Sequence, residues 1–138
     1  MFENKSDTRY ERRRTPPESY LFRAPFAIVS LVARIKGKVT HEALQDAVNK
    51  VQKRHVNLQT RIRDDENHDS WLTTENVGDI QVTSIQRESD DHWIQEMHRS
   101  SKVPFEFNAR PAIRFILLQS SSISEFLILC HHTICDGL

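Results

Sequence analysis

The sequence predicts an α+β domain in which helices pack on a mixed β-sheet. A nearly continuous apolar run at residues 27–35 precedes an amphipathic segment at residues 41–55. Two further apolar runs, residues 112–119 and 125–130, are separated by a serine-rich turn and are typical of an antiparallel strand pair. The length of 138 residues fits one compact domain, and no linker is visible.

The N-terminal segment is polar, highly charged and contains adjacent prolines. We therefore expect residues 1–24 to form an irregular lead-in and residues 25–138 to form the folded unit. Residues 27–35 are expected to form a strand covered on both faces, because apolar and β-branched residues follow one another without polar alternation. Gly37 supplies the turn after this strand.

The best helix in the sequence is predicted at residues 41–55, and Thr40 is placed to cap its N-terminus. Its spacing predicts one apolar stripe along the helix. The stripe consists of Leu44, Ala47, Val48 and Val51. After the helix the period changes to alternation, so residues 56–62 are predicted to form a strand with one exposed face.

Shorter elements fill the middle of the chain. Residues 71–76 and 80–85 are predicted to form strands, because they are rich in β-branched residues and bounded by polar turns. A second helix is predicted at residues 90–99, where Trp93 and Met97 lie four positions apart and share one face. These elements complete the α+β prediction.

Composition excludes several classes of function. Nineteen Lys and Arg balance nineteen Asp and Glu, so no net field attracts nucleic acid or an anionic membrane surface. The short basic run at residues 9–14 is interrupted by Glu11 and is interpreted as a solvated segment. No apolar run approaches the roughly 20 residues of a membrane span, and the N-terminus lacks a signal-peptide core. We therefore expect a cytoplasmic protein.

The C-terminal sequence HHTICDGL holds residue types that could bind a metal ion. Cys130 and Cys135 enclose four residues, which fits neither a CxxC redox pair nor a zinc half-site, so we expect two free thiols. His131 and His132 would face opposite sides of a continued strand and could not share one ligand, and zinc prefers four ligands. We predict no metal site.

The same geometry suits a division of roles between the two histidines. One imidazole can be fixed by the interior while the other projects into a cleft, where a neutral imidazole is a natural general base. Asp136 follows His132 by four residues, and Gly137 allows a sharp turn that brings the carboxylate back toward the ring or a cation. The alternative is a pair of core histidines followed by an ordinary Asp-Gly turn. We favour the first interpretation.

The residues HHTICDG fit the pattern HHxxxDG, which resembles the signature of the chloramphenicol-acetyltransferase-like superfamily. That superfamily includes condensation domains of nonribosomal peptide synthetases, polyketide-associated acyltransferases, wax ester synthases and alcohol acyltransferases. Residues 35–62 resemble its opening strand, helix and RHxxLRT segment, and residues 104–118 resemble its PFDL stretch, proline and arginine-bearing strand. Gln59, Phe107 and Ala112 depart from the common family residues but leave the signature intact.

The resemblance implies that His132 is the general base that takes a proton from an amine or alcohol as it attacks a thioester carbonyl. It implies structural roles for His131 and Asp136, the latter through a salt bridge to an arginine for which Arg114 is a nearby candidate. Gly137 would leave room near the acyl group. The acyl donor would be acyl-CoA or a phosphopantetheine-tethered acyl group, with no tightly bound cofactor.

Enzymes of this superfamily are built of two similar halves, and the resemblance covers only the first. We therefore expect an acyltransferase, condensation-domain-like, whose channel is completed by a C-terminal half or a second subunit and whose isolated N-terminal half is inactive. The alternative is a non-catalytic condensation-like module that binds an acyl-carrier protein or a partner chain. In either case surfaces meant for the partner would be exposed, so the isolated chain should associate or be weakly stable.

Overall fold

The computed structural model of the protein describes residues 9–22, 24 and 27–135. Its strands are β1 (Glu11–Arg13), β2 (Ile28–Lys36), β3 (Arg61–Asp64), β4 (Ser70–Thr73), β5 (Val82–Gln86), β6 (Ile113–Gln119) and β7 (Ile123–His131). Its helices are α1 (Pro16–Phe22), α2 (His41–Arg54) and α3 (His92–Ser101), with a short 3₁₀ helix at Val56–Gln59. The predicted α+β class is confirmed, and β4, β5 and α3 lie within a few residues of their predicted positions.

The main sheet places β7 at its centre. Its four strands lie in the order β2-β7-β6-β5. β7 runs antiparallel to both neighbours, which confirms the predicted pairing of the last two apolar runs, and β5 runs parallel to β6. A second sheet of three antiparallel strands has the order β1-β4-β3. The central position of β7 fixes its end from both sides.

Each face of the main sheet carries one helix and one buried apolar cluster. The cluster on the α2 face consists of Val48, Ile80, Val82, Phe115 and Leu117. The cluster on the other face consists of Ile116, Leu118, Leu127 and Leu129. Trp93 and Met97 of α3 pack together against this second cluster, as their spacing predicts. Burial on both faces explains why β6 and β7 are continuous apolar runs.

The inward face of α2 differs from the predicted stripe. Val48 is buried, but Val51 is 42% exposed. Gln52 faces inward, where its side chain donates to the carbonyl of Gly78 and accepts from the N–H of Ile80, both at 3.0 Å. Hydrophobic periodicity does not predict a buried glutamine. Gln52 is buried because its amide hydrogen-bonds backbone groups before β5, which an apolar side chain cannot do.

β2 also differs from its prediction as a strand covered on both faces. Among the described strands it lies at the edge of the main sheet and pairs with β7. Leu31, Val32 and Ile35 are 58%, 38% and 39% exposed, and we call them the β2 strip. The apolar run correctly predicts a strand, but within the described residues nothing covers much of its surface.

The lead-in at residues 1–24 is predicted to be irregular, yet its described part forms β1 and α1. α1 begins at Pro16, because proline suits the first position of a helix, where its missing N–H costs no hydrogen bond. Arg12 donates to the carboxylate of Glu18 at 2.9 Å and so joins β1 to α1. Within residues 9–22 and 27–135, the helices lack the length and apolar character needed to cross a membrane.

The segment at residues 56–62 begins as a 3₁₀ helix and becomes extended only at β3. Gln59 donates to the carbonyls of Gln52 and Lys53 at 2.9 and 3.3 Å, which draws the chain back against the end of α2. α2 itself begins as predicted, with the Thr40 hydroxyl accepting from the N–H of Ala43 at 3.2 Å. The predicted strand is therefore correct only for its second part.

Candidate active site

The C-terminal end of β7 is held by both of its neighbours. The N–H of His131 donates to the carbonyl of Ala112 at 2.9 Å, on the β6 side. The N–H of His132 donates to the carbonyl of Ala27 at 2.7 Å, on the β2 side. The strand stops at His131, and residues 132–134 form a turn. Two adjacent histidines therefore occupy different environments.

His131 is almost completely buried, with 2% of its surface exposed. Its Nδ1 accepts from the N–H of Thr133 at 3.2 Å and lies 3.0 Å from the Thr133 hydroxyl, while Nε2 lies 3.4 Å from the carbonyl oxygen of Ala24. Because Nδ1 is an acceptor, the proton of the neutral ring is on Nε2. The Phe105 and Phe107 rings meet it edge to face, with centroids 6.1 and 5.0 Å away.

Burial lowers the pKa of His131 below its ordinary value of 6.5, and the neighbouring His132 acts in the same direction, although the hydrogen bond with Ala24 partly opposes them. A neutral ring is the form that matches these partners, because a protonated Nδ1 could not accept from Thr133. The ring of His131 is therefore held in place by burial and by partners at both nitrogens.

His132 is the first residue beyond β7, and its side chain is exposed. Its backbone is anchored through the hydrogen bond with Ala27, so an accessible imidazole is attached to a rigid strand end. The structure thus contains one buried and one exposed histidine, which is the separation that the sequence predicts. Their chemical roles remain predictions.

The turn after β7 carries the rest of the signature. The N–H of Ile134 donates to the carbonyl of His131 at 3.1 Å, which closes the turn. The side chain of Asn57, in the segment that resembles RHxxLRT, donates to the carbonyl of Ile134 at 3.5 Å. Asp136 and Gly137 lie outside the described residues, so their predicted roles stay predictions.

The two cysteines are joined. Cys130 and Cys135 form a disulfide with 6.5 Å between their Cα atoms, so the prediction of two free thiols is wrong. The spacing in the sequence does not reveal the turn that brings Cys135 back beside the end of β7. This disulfide encloses both histidines within its loop.

Arg114, the predicted candidate partner of Asp136, organises the loop before β6. Its Nη1 donates to the carbonyls of Ser100 and Val103 at 2.9 and 2.7 Å, and its Nη2 donates to that of Pro104 at 2.6 Å. Its guanidinium carbon lies 4.3 Å from the centre of the Phe105 ring. Arg114 therefore positions a ring that contacts His131.

Sequence reasoning missed Thr133, which bonds the buried imidazole, and the backbone carbonyls that hold the end of β7. Nothing local in the sequence distinguishes Thr133 from an ordinary turn residue. The carbonyls of Ala27 and Ala112 become partners only through the pairing of β7 with its neighbours, which single-sequence patterns do not specify.

An open cleft of about 670 Å³ lies between α3 and the first residues of β6, away from both histidines. Its acidic and basic side chains largely pair with each other. Glu96 pairs with Arg99, and Glu106 pairs with Arg110 at 2.8 Å. This neutral, paired lining does not suit it to catalysis, so the end of β7 is the better candidate site.

The main sheet, its two helices and the signature at the end of β7 define a protein of the chloramphenicol-acetyltransferase-like class. The family model described as "Condensation domain" matches residues 22–138. The chain belongs to the condensation-domain family.

The curated relatives are synthetases that are much longer than this chain. Cyclosporin synthetase simA of Tolypocladium inflatum is 26% identical over 116 residues, which are 83% of this chain and 1% of that protein. Nonribosomal peptide synthetase TES of Alternaria alternata is 26% identical over 113 residues, which are 80% of this chain and 2% of that protein. The chain therefore spans only a very small part of these relatives.

Solved structures share the fold at low identity. The first condensation domain of the calcium-dependent antibiotic synthetase, in complex with a substrate analogue, has a TM-score of 0.78 at 13% identity, with 93% of this chain and 36% of that chain covered. The condensation domain of the Monacolin K polyketide synthase MokA has a TM-score of 0.75 at 13% identity, with 88% and 30% covered. The chain thus spans about a third of each solved chain.

Proposed function

We propose that this chain forms the N-terminal half of a condensation-type acyltransferase and that His132 is its general base. One observation carries the proposal. The ring of His131 is buried and has partners at both nitrogens, whereas the ring of His132 is exposed immediately beyond the end of β7. Membership in the condensation-domain family supports the same reaction class.

In the proposed reaction an amine or alcohol attacks the carbonyl carbon of an acyl thioester. His132 accepts the proton that the attacking nitrogen or oxygen loses as the new C–N or C–O bond forms. The C–S bond then breaks, and the thiolate of coenzyme A or of a carrier-bound phosphopantetheine leaves and takes a proton from the imidazolium. No covalent enzyme intermediate is needed.

The surroundings of His132 support this role through positioning. A base displaced by about 1 Å can lose roughly 100-fold in rate, so it benefits from a rigid support. The hydrogen bond with Ala27, the buried ring of His131 and the Thr133 contacts supply that support. They leave the imidazole of His132 accessible to a substrate.

The other wall of the channel would come from a C-terminal half or a second subunit. The β2 strip supports this, because Leu31 and Ile35 are exposed on one face of an edge strand, and exposed apolar groups on such a strand are typical of a surface meant for a partner. We expect the isolated chain to associate reversibly as its concentration rises in analytical ultracentrifugation. Leu31→Glu should weaken that association, while Ile94→Glu, at a 50% exposed site on α3, should not. A monodisperse monomer at all concentrations would contradict this expectation.

The test of function uses the complete protein that contains this chain. His132→Ala should lower single-turnover acyl transfer from a thioester donor by about 10²- to 10⁴-fold, the usual contribution of a general base, without changing the urea midpoint. His98→Ala, at an exposed histidine of α3, is the matched control and should keep full turnover.

Full turnover in His132→Ala refutes the proposed role of this residue. If the wild-type protein binds an acyl-carrier protein but transfers no acyl group, the alternative of a non-catalytic binding module takes its place. The β2 strip supports a partner in either case, so the measured acyl transfer decides between the two functions.

A further inference from the structure

We propose that Cys130 and Cys135 form a reversible disulfide that sets the conformation of the turn carrying His132, so that thiol oxidation regulates the site. The proposal rests on the proposed role of His132 in acyl transfer. It assigns a modification site to two residues that the reaction itself does not use. We call them the cysteine pair.

The geometry of the cysteine pair carries the proposal. Cys130 is 4% exposed and belongs to β7, the central strand of the main sheet, so its position is fixed. Cys135 is half-buried and lies beyond the turn. The separation of 6.5 Å between the Cα atoms lies within the usual range of about 4.4 to 6.8 Å for disulfides. The bond therefore connects the residue that follows the turn to the central strand of the main sheet.

The turn retains some restraints when the disulfide is reduced. The hydrogen bonds of the His132 N–H with Ala27 at 2.7 Å and of the Ile134 N–H with His131 at 3.1 Å do not involve sulfur. The contact between Asn57 and the carbonyl of Ile134, at 3.5 Å, is long. These contacts hold the first part of the turn, so reduction should loosen the turn without unfolding it.

Cys135, the residue that follows the turn, depends most on the disulfide. Within the described residues, the other close polar neighbour of the Cys135 sulfur is the carbonyl oxygen of His131, at 3.4 Å. Asp136 follows Cys135 directly in the sequence, so the bond also restrains the point from which the signature aspartate departs. The disulfide thus restrains both ends of residues 131–134, the segment that contains His132.

The chemistry is a thiol–disulfide exchange with glutathione disulfide. The Cys135 thiol, the more exposed of the two, loses its proton to solvent and attacks a sulfur of glutathione disulfide. A mixed disulfide forms and one glutathione thiolate leaves. The Cys130 thiol then loses its proton to the departed glutathione thiolate, attacks the Cys135 sulfur and releases the second glutathione as a thiolate, which takes up a proton from solvent. Two protein thiols are oxidised and one glutathione disulfide is reduced, and excess reduced glutathione reverses both steps.

The first test measures the thiols and does not depend on activity. The chain is equilibrated in glutathione buffers of different ratio, quenched in acid, denatured, alkylated with N-ethylmaleimide and weighed by mass spectrometry. We expect two labels in reduced buffer and none in oxidised buffer, while Cys135→Ser takes at most one label. Amides of residues 133–135 should exchange hydrogen several-fold faster in the reduced chain. Two labels at every glutathione ratio, or identical exchange in both states, would overturn the proposal.

The second test measures turnover of the complete protein in the two states. Because the turn keeps part of its restraint, we expect reduction to lower acyl transfer by about 10-fold, less than the roughly 100-fold that a 1 Å displacement can cost. Cys135→Ser should match the reduced wild type and should not respond to the glutathione ratio. Equal turnover of the wild type in both states would overturn the regulation. Turnover that survives His132→Ala would instead refute the proposed general base, so the two failures are distinguishable.

Discussion

Glu125 offers the sharpest test of what holds the central strand in place. Its side chain is completely buried in β7. Its carboxylate accepts from Nε of Arg87 at 2.7 Å and from Nε of Arg34, its register partner on β2, at 3.1 Å. The side chain of Arg87 is only 10% exposed and also pairs with Asp90 at 2.6 Å, whereas that of Arg34 is 47% exposed. The carboxylate therefore compensates one buried and one half-exposed cation.

The expected magnitudes follow from these exposures. Glu125→Gln keeps the shape but removes the charge, and breaking a buried ion pair from one side costs about 3–5 kcal/mol. The glutamine oxygen still accepts one hydrogen bond and Asp90 still pairs with Arg87, so we expect about 3 kcal/mol, the lower end of that range. Arg34→Met should cost about 1 kcal/mol, because its charge is largely screened by solvent.

A double variant separates charge compensation from packing. Glu125→Leu combined with Arg87→Met removes both buried charges, and well-packed apolar pairs often replace buried ion pairs at little cost. We therefore expect the double variant to be more stable than Glu125→Gln alone. If Glu125→Gln does not fold, the double variant and Arg34→Met still test whether an uncompensated buried cation causes the loss of stability.

The assay is urea unfolding followed by far-UV circular dichroism, with midpoints and slopes fitted for each variant. Equal losses for Glu125→Gln and Arg34→Met would refute the argument from burial. A double variant less stable than Glu125→Gln would refute the claim that an uncompensated cation is the main cost.

Three further predictions concern the surroundings of the site and the small sheet. Arg114→Lys should destabilise the chain by about 2 kcal/mol in urea unfolding, because one ammonium cannot reproduce a planar fork that reaches three carbonyls, and a lysine variant as stable as wild type would contradict this. Burial lowers the pKa of His131 in the folded protein. The stability that the neutral ring contributes should therefore be present above pH 6.5 and should be lost as the pH falls toward the pKa in the folded state. In a His131→Gln variant the urea midpoint should change less between pH 8 and pH 5. The pKa values of Glu11 and Glu18 are lowered to about 2, mainly by hydrogen bonds from Arg63 and Arg12 respectively. The stability of the three-stranded sheet should therefore be intact above pH 4.5 and should be lost as the pH falls from 4.5 to about 2. Hydrogen exchange of the amides in β4 should show this loss, and the Glu11→Gln and Glu18→Gln variants should show a smaller one.

Local patterns in the sequence predict those parts of the fold that local chemistry decides. The cap of α2 is predictable because the Thr40 hydroxyl directly precedes the helical pattern. The apolar runs of β6 and β7 are enough to predict two strands. The pairing of Arg34 with Glu125 depends on the register of β2 against β7, which joins residues far apart in the chain. Gln52 faces inward because the backbone before β5 needs partners there. No single-sequence pattern contains either fact.

The candidate site also has some features that the local sequence predicts and others that depend on the tertiary structure. The signature locates His131 and His132 and predicts that they separate, because adjacent side chains at a strand end diverge. It does not predict the disulfide, which requires the turn that returns Cys135 to the end of β7, and it does not predict that Thr133 bonds the buried ring. Non-local geometry decides both.

The position of the strand end resolves a conflict between rigidity and access. Side chains alternate along β7, so Glu125, Leu127, Leu129 and His131 share the buried face toward α3. A base that belonged to the strand interior would be rigid but covered, whereas a base in a free loop would be accessible but poorly positioned. His132 lies where the ladder stops, with its backbone bonded to Ala27 and its ring exposed. Ending the ladder one residue earlier would release the backbone of His132, so the end of the ladder gives the proposed base both properties.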